Sequence, residues 1–407
     1  MSNGDARAES QSGALAAPRL LVAALMLGVA AVGATIFAIS PLLPDIAAAF
    51  GVTVARAGVL PGAFGISLAL VAPIVGLTAQ GLPRAMVIVA GLTVFAIAWL
   101  AALFVREFSS LILLAVLAGG ATGAVLPATY AYAADLSSYE ERARLMGRIV
   151  SGWSIAILAV VPVMALAAQA WSWRWAFGAL AGFALAIALL LAFSPRPSAR
   201  PVREPLNRAL IVASLGRVLA HRPTRLVLAA NLLDMGAFYA VYSFAGTELR
   251  RLNDWGASPA GLVVAAYGVG LAIVTFNGRL IDRWGKRRSA IGALLALGVV
   301  LSVLPWLASV PLAMAAGIVV WGLAQGTFFT AITTLATEQI PELRGVAVAL
   351  LSGATYLGVT MYTPLSALLY GLAGYWAVGL EAAAGCLIAA ALLSRLAPEP
   401  QAAAQRG

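Results

Sequence analysis

Twelve apolar runs, each about as long as a helix that crosses a bilayer, leave this chain few folds to choose from. They begin near Leu20, Ala57, Met86, Ser110, Gly147, Trp173, Thr224, Ala260, Ala290, Leu312, Val346 and Tyr375, six on each side of a polar centre. A helical span needs about 20 apolar residues. With 62% hydrophobic and 10% charged residues, the chain could not cover a soluble globule with polar surface. The expectation is an all-α membrane protein with twelve transmembrane helices.

The 26 Lys and Arg against 16 Asp and Glu would suggest nucleic acid in a soluble protein. Here their placement carries the information. With the N-terminus inside, 21 of the 26 basic residues fall in cytoplasmic segments, and Arg56, Arg106, Arg174, Arg250 and Arg251 lie outside. By the positive-inside rule that split sets the orientation, with both termini cytoplasmic, and it removes nucleic acid as an expected partner. Cys386 stands alone within an apolar run, so no intrachain disulfide and no multi-thiolate metal site is expected. His221, the one histidine, reads as a surface residue of the central loop.

Gly278-Arg-Leu-Ile-Asp-Arg-Trp-Gly-Lys-Arg-Arg288 packs charge between runs eight and nine and reads as a short hairpin. A weaker copy, Gly76-Leu-Thr-Ala-Gln-Gly-Leu-Pro-Arg84, lies 202 residues earlier, and Arg142 with Arg344 and Pro162 with Pro364 keep the same offset. Unlike residue types at one spacing indicate a duplicated half. The hairpin resembles the loop motif of the major facilitator superfamily. Pro41-Leu-Leu-Pro-Asp45 and the turn Trp171-Ser-Trp-Arg-Trp175 resemble features of its twelve-span bacterial drug and metabolite efflux branch.

That resemblance implies two pseudo-symmetric six-helix bundles, 19–194 and 223–396. A cytoplasmic linker, 195–222, carries a short interfacial helix, and the chain ends in a disordered lead, 1–18, and a tail, 397–407. It also implies a gate built from Gly278, Asp282, Arg283, Gly285 and Lys286, with Arg142, Arg148 and Arg344 as basic groups at the heads of runs five and eleven. The chain departs from the family pattern where Gln80 replaces an acid and Ala118 or a neighbour replaces a membrane arginine. The span 5 antiporter motif keeps Gly152 and Pro162, but Val161 precedes the proline. Run one is expected to bend or stop at Pro41 and Pro44, which cannot donate in a helix interior, and a kink is expected at Pro162. Asp45 is either a solvated rim carboxylate or a point of access for substrate or protons.

Asp234 is the costly residue. It lies 11 positions past Pro223, about 16 Å along a helix and so near the middle of a core roughly 30 Å thick. An Asp there costs on the order of 2.5–3.5 kcal/mol on insertion scales. At 100° per residue Asn231, Asp234, Phe238 and Tyr242 form one stripe. Asp234 is either paired within a helix interface or, facing a central cavity as the resemblance implies, a proton carrier or cation partner. Tyr130 and Gln325 are further candidates at mid-depth, Gln325 for substrate or for a neighbouring helix. Glu381 is expected at a rim with structural pairing.

No catalytic residues, metal ligands or cofactor are expected. The implied function is secondary active transport by alternating access in the bacterial inner membrane. In this reading a monomer exports a small amphipathic molecule, such as a drug, sugar, nucleoside or siderophore-like metabolite, in exchange for protons. A proton-coupled importer would carry the same residues, and a non-transporting sensor on this scaffold is the third reading.

Overall fold

A computed structural model of the chain describes residues 19–78, 82–137, 141–194, 208–276 and 284–397. Twelve described helices are long and apolar enough to cross a membrane. They are α1 (Arg19–Phe50), α2 (Leu60–Thr78), α3 (Arg84–Ala101), α4 (Phe108–Asp135), α5 (Arg144–Ala170), α6 (Trp173–Phe193), α7 (Arg222–Asn253), α8 (Ala257–Phe276), α9 (Lys286–Leu307), α10 (Pro311–Gln339), α11 (Arg344–Ala373) and α12 (Tyr375–Ser394). A further helix, Arg208–Ala220, lies between α6 and α7. The ends that carry Arg19, Arg84, Lys286 and Arg344 define a basic face, and the opposite ends a far face.

Packing follows the duplication. In the first half α4 packs on α2 and α3, and α3 on α6; in the second half α10 packs on α8 and α9, and α9 on α12. Small residues bring these pairs close, as in membrane helix contacts generally. Gly119 of α4 lies against the backbone carbonyl of Phe64, and Gly322 of α10 against that of Tyr267; any side chain at either place would meet backbone.

The bundles are joined chiefly by α1 with α7, α2 with α11, and α5 with α8, and α1 also touches α8. Their contacts gather from mid-depth to the far face. Gly62 and Gly65 of α2 face Thr363 and Val359, Gly261 and Gly268 of α8 face Ala165 and Leu158, and the backbone of Ser258 donates to the Gln169 side chain at 2.8 Å. Towards the basic face, Gly147 of α5 and Gly345 and Gly353 of α11 face open space. The structure is therefore a state shut on the far side.

The prolines of α1 and α5 are accommodated in different ways. α1 does not stop at Pro41 or Pro44 but runs on to Phe50. Pro44 leaves the Ser40 carbonyl without its helical donor, and the Thr247 hydroxyl of α7 donates to that oxygen at 3.2 Å. In α5, Ala156–Val160 forms a π-turn just before Pro162, with the Val161 N–H bonded to the Ala156 carbonyl. Such wide turns take up one extra residue where a regular ladder would break.

Candidate functional site

Where the bundles meet at mid-depth, aromatic side chains from both halves form one cluster. Phe37 of α1 lies edge-on to Tyr242, with ring centroids 5.1 Å apart, and to Trp153 of α5 at 6.1 Å. Behind Phe37, Phe238 stacks on Tyr242 at 5.5 Å, and Trp321 of α10 and Tyr267 of α8 close the group. The Trp153 indole donates to the Tyr130 hydroxyl at 3.0 Å, which ties α4 to the cluster. Offset and edge-on rings of this kind add on the order of 1 kcal/mol per pair beyond burial, and their faces suit planar or cationic groups.

Asp234 lies one helix turn from Phe238 and is 1% exposed. Gln325 of α10 donates its amide to Asp234 Oδ2 at 2.5 Å, while Asp234 Oδ1 is buried with no hydrogen-bond partner. The other end of Gln325 is bonded by the Trp321 indole at 3.4 Å. No ion pair to Asp234 occurs among the described residues. Of the stripe on α7, Phe238 and Tyr242 join the aromatic cluster, but Asn231 turns away. Its amide donates to the Leu351 carbonyl at 3.1 Å and to Thr355 Oγ1 at 2.9 Å, both on α11. Asn231 therefore fastens two helices of one bundle, and the structure groups Asp234, Gln325, Trp321, Phe238 and Tyr242 without it.

The gate residues separate into two groups. Gly278, Asp282 and Arg283 lie outside the described residues, as do Gln80 and the side chain of Arg142. Arg148 and Arg344 are exposed at the basic face. Gly285 turns into α9 with φ +83°, a conformation open to glycine and strained for other residues. Lys286 pairs with Glu338 of α10. Arg287 donates to the Ser394 carbonyl at 2.6 Å and to that of Leu393 at 3.2 Å, satisfying carbonyls at the negative end of α12. The weaker copy keeps the same kind of contact: Arg84, 202 residues before Lys286, pairs with Asp135 of α4 at 3.6 Å.

The far face holds a feature that sequence reasoning missed. Asp45 is bound bidentately by Arg250 of α7, at 2.6 and 2.8 Å. Arg250 also donates to the Pro41 carbonyl at 2.8 Å, and the Gly246 N–H donates to Ser40 Oγ at 3.0 Å. A β-carbon at Gly246 would come within 2.7 Å of the Pro41 nitrogen, so only glycine admits this approach. The duplication offset carried the signal. Position 45 plus 202 is 247, so the ends of α1 and α7 are counterparts, and an acid on one and a base a turn away on the other meet.

A model of the Major Facilitator Superfamily matches residues 25–252 and 226–407. The chain belongs to the Major Facilitator Superfamily. Within it, the MFS-type transporter YwfA of Bacillus subtilis is 31% identical over 374 residues, covering 90% of this chain and 89% of that protein. A chloramphenicol resistance protein of Streptomyces lividans is 29% identical over 384 residues, covering 90% and 94%. Among solved structures the nucleoside transporter NupG shares the fold, with a TM-score of 0.77 at 13% identity over 92% of this chain and 99% of that one. This superfamily member is a multi-pass membrane transporter of two six-helix bundles, with its aromatic cluster and Asp234 at the level where those bundles join.

Proposed function

We propose that this protein exports a small amphipathic molecule, neutral or cationic, in exchange for protons across the bacterial inner membrane. The supporting observation is Asp234: a buried carboxylate with one oxygen bonded by a neutral amide, the other unbonded, and no cation paired to it. A bare charge so placed is costly in hydrocarbon, and a proton on Oδ1 removes the charge without disturbing the Gln325 bond. Deprotonated, the same oxygen is an acceptor for a cationic or hydrogen-bonding cargo held against Phe238, Tyr242 and Trp321. Proton and cargo then compete for one group, which is the requirement for exchange.

The positive-inside rule makes the basic face cytoplasmic, so the far-side closure faces the periplasm. Rocking of one bundle against the other would part α1 from α7 and expose the site outward. The resistance protein of Streptomyces supports export as the direction. The protein acts as a monomer in this reading, with both termini cytoplasmic.

The test uses purified protein in proteoliposomes, with chloramphenicol and a panel of lipophilic cations as probes. Accumulation into vesicles with an acid lumen is expected, and Asp234→Asn should lower that gradient-driven flux at least tenfold while leaving thermal unfolding in detergent unchanged. Gradient-driven flux that survives in Asp234→Asn removes the carboxylate from the mechanism. Accumulation into an alkaline lumen instead identifies an importer.

A further inference from the structure

A second acid is built into the same bundle in the same manner. Glu381 lies six residues into α12, about 9 Å from its far end at 1.5 Å per residue, and is half-buried. Ser366 of α11, itself fully buried, shares its hydroxyl between Glu381 Oε2 and the Tyr362 carbonyl, each at 2.8 Å. Glu381 Oε1 is buried with no hydrogen-bond partner, and no ion pair to Glu381 occurs among the described residues. Like Asp234, it has one oxygen held by a neutral donor and the other bare.

Tyr362 of α11 stands between the two. Its ring lies against Gly236, two residues past Asp234 on α7, close enough that a side chain there would collide with it. Its hydroxyl points at Gly385, one turn beyond Glu381 on α12, where a β-carbon would lie 2.5 Å away. Both glycines are thus needed for the tyrosine to occupy this place. Of the other titratable side chains close by, Cys386 lies one residue past Gly385 on α12, and Tyr267 of α8 packs on Phe238, one turn from Asp234; Gln325 comes from α10, and α9 presents Leu301 and Pro305 to α12. None of these is a cation.

We propose that Glu381 is a second proton-binding carboxyl of this transporter, linked to Asp234 across the contact of α7 with α12 that the Tyr362 ring fills. A charge on one carboxyl raises the cost of a charge on the other in this apolar setting, so the two titrations are linked without a proton passing between them. The linkage rests on the reading of Asp234 as a proton site, whereas proton binding at Glu381 does not.

Infrared difference spectra of the purified protein across a pH titration test this without any cargo. Two protonated-carboxyl C=O bands are expected. Asp234→Asn should remove one, and Glu381→Gln the other, while Gln at 381 still accepts from Ser366. Glu381→Gln should move the titration midpoint of the Asp234 band by roughly threefold in proton affinity or more. A spectrum unchanged by Glu381→Gln overturns the site. A band lost in Glu381→Gln with an unmoved Asp234 midpoint overturns the coupling. A band lost there but none lost in Asp234→Asn overturns the coupling and the Asp234 reading together.

Discussion

The two bundles are built on one plan, and their centres differ. Subtracting the 202-residue offset from Asp234, Trp321 and Gln325 gives Val32, Gly119 and Gly123. Val32 is fully buried hydrocarbon, and the two glycines seat α4 on the backbone of α2, Gly119 against the Phe64 carbonyl and Gly123 against that of Leu68 at 2.9 Å. In the second bundle the close-packing glycines of α10 are Gly322 and Gly326, one position along from Trp321 and Gln325. That shift keeps the helices near one another and frees the inward positions for an indole and an amide. A duplicated scaffold has thus kept its packing in both halves while placing its polar chemistry in one. The first bundle, whose buried polar residues among those described are hydroxyl-bearing and include no acid or amide, serves as the wall, with Phe37 and Trp153 as its aromatic contribution to the shared cluster.

Exchanging the centres should break this contrast most severely. Val32→Asp places an acid where no amide meets it and should destabilise by about 2.5–3.5 kcal/mol, the insertion cost of Asp at a helix centre. Asp234→Val, of similar size, should stay within about 1 kcal/mol of the parent, since one hydrogen bond to Gln325 is lost and the burial of a charged group is relieved. Thermal unfolding in detergent compares them. If Asp234→Val melts as early as Val32→Asp, the acid is a structural member and the asymmetry is not functional.

Where the bundles touch, the expected effect is smaller. Arg250→Ala removes the bidentate hold on Asp45, whose two partners are 16% and 34% exposed at the side chain. For a partly solvated pair this is on the order of 1 kcal/mol, about a fivefold shift of population towards the far-open state. Reactivity of a cysteine introduced at Ser40 towards a membrane-impermeant reagent reads that shift. The exchange Asp45→Arg with Arg250→Asp should return it towards the parent level, and an Arg250→Ala protein no more reactive than its parent would show that apolar packing alone shuts this side.

The smallest effect tests the symmetry itself. Arg84→Ala and Lys286→Ala remove equivalent pairs at the basic face, to Asp135 and Glu338. Exposed pairs contribute about 0.2–1 kcal/mol, so both variants should lose less than about 1 kcal/mol and by similar amounts in double-mutant cycles. A loss several times larger for one would mean that only that loop carries the closure of the basic face.

Much of the scaffold was legible in the chain because the signals are local or periodic. Span length, the placement of arginines and the 202-residue offset each depend on residues read along one line, and lipid permits few alternatives to a helix. Asp234 was legible for the same reason, since a carboxylate at mid-span is conspicuous whatever surrounds it. Its partner was not. Gln325 could equally have bonded cargo or another helix, and which way Asn231 turns depends on the crossing of α7 and α11. The prolines of α1 mislead for a related reason: the sequence reveals the missing donors, while the Thr247 hydroxyl that satisfies the Ser40 carbonyl comes from more than 200 residues away.

The sequence by itself determined that twelve helices cross the membrane in two copies of six, which end of each is basic, and that one acid is held at mid-depth. Only the tertiary structure decided that Arg250 holds Asp45, that Phe37 and Trp153 complete an aromatic cluster begun on α7, and that Tyr362 stands between two carboxyls. The physical reason is that hydrophobic length and charge placement act on each segment alone, whereas hydrogen bonds and ring contacts exist only once helix crossings fix which atoms come within a few ångströms of one another.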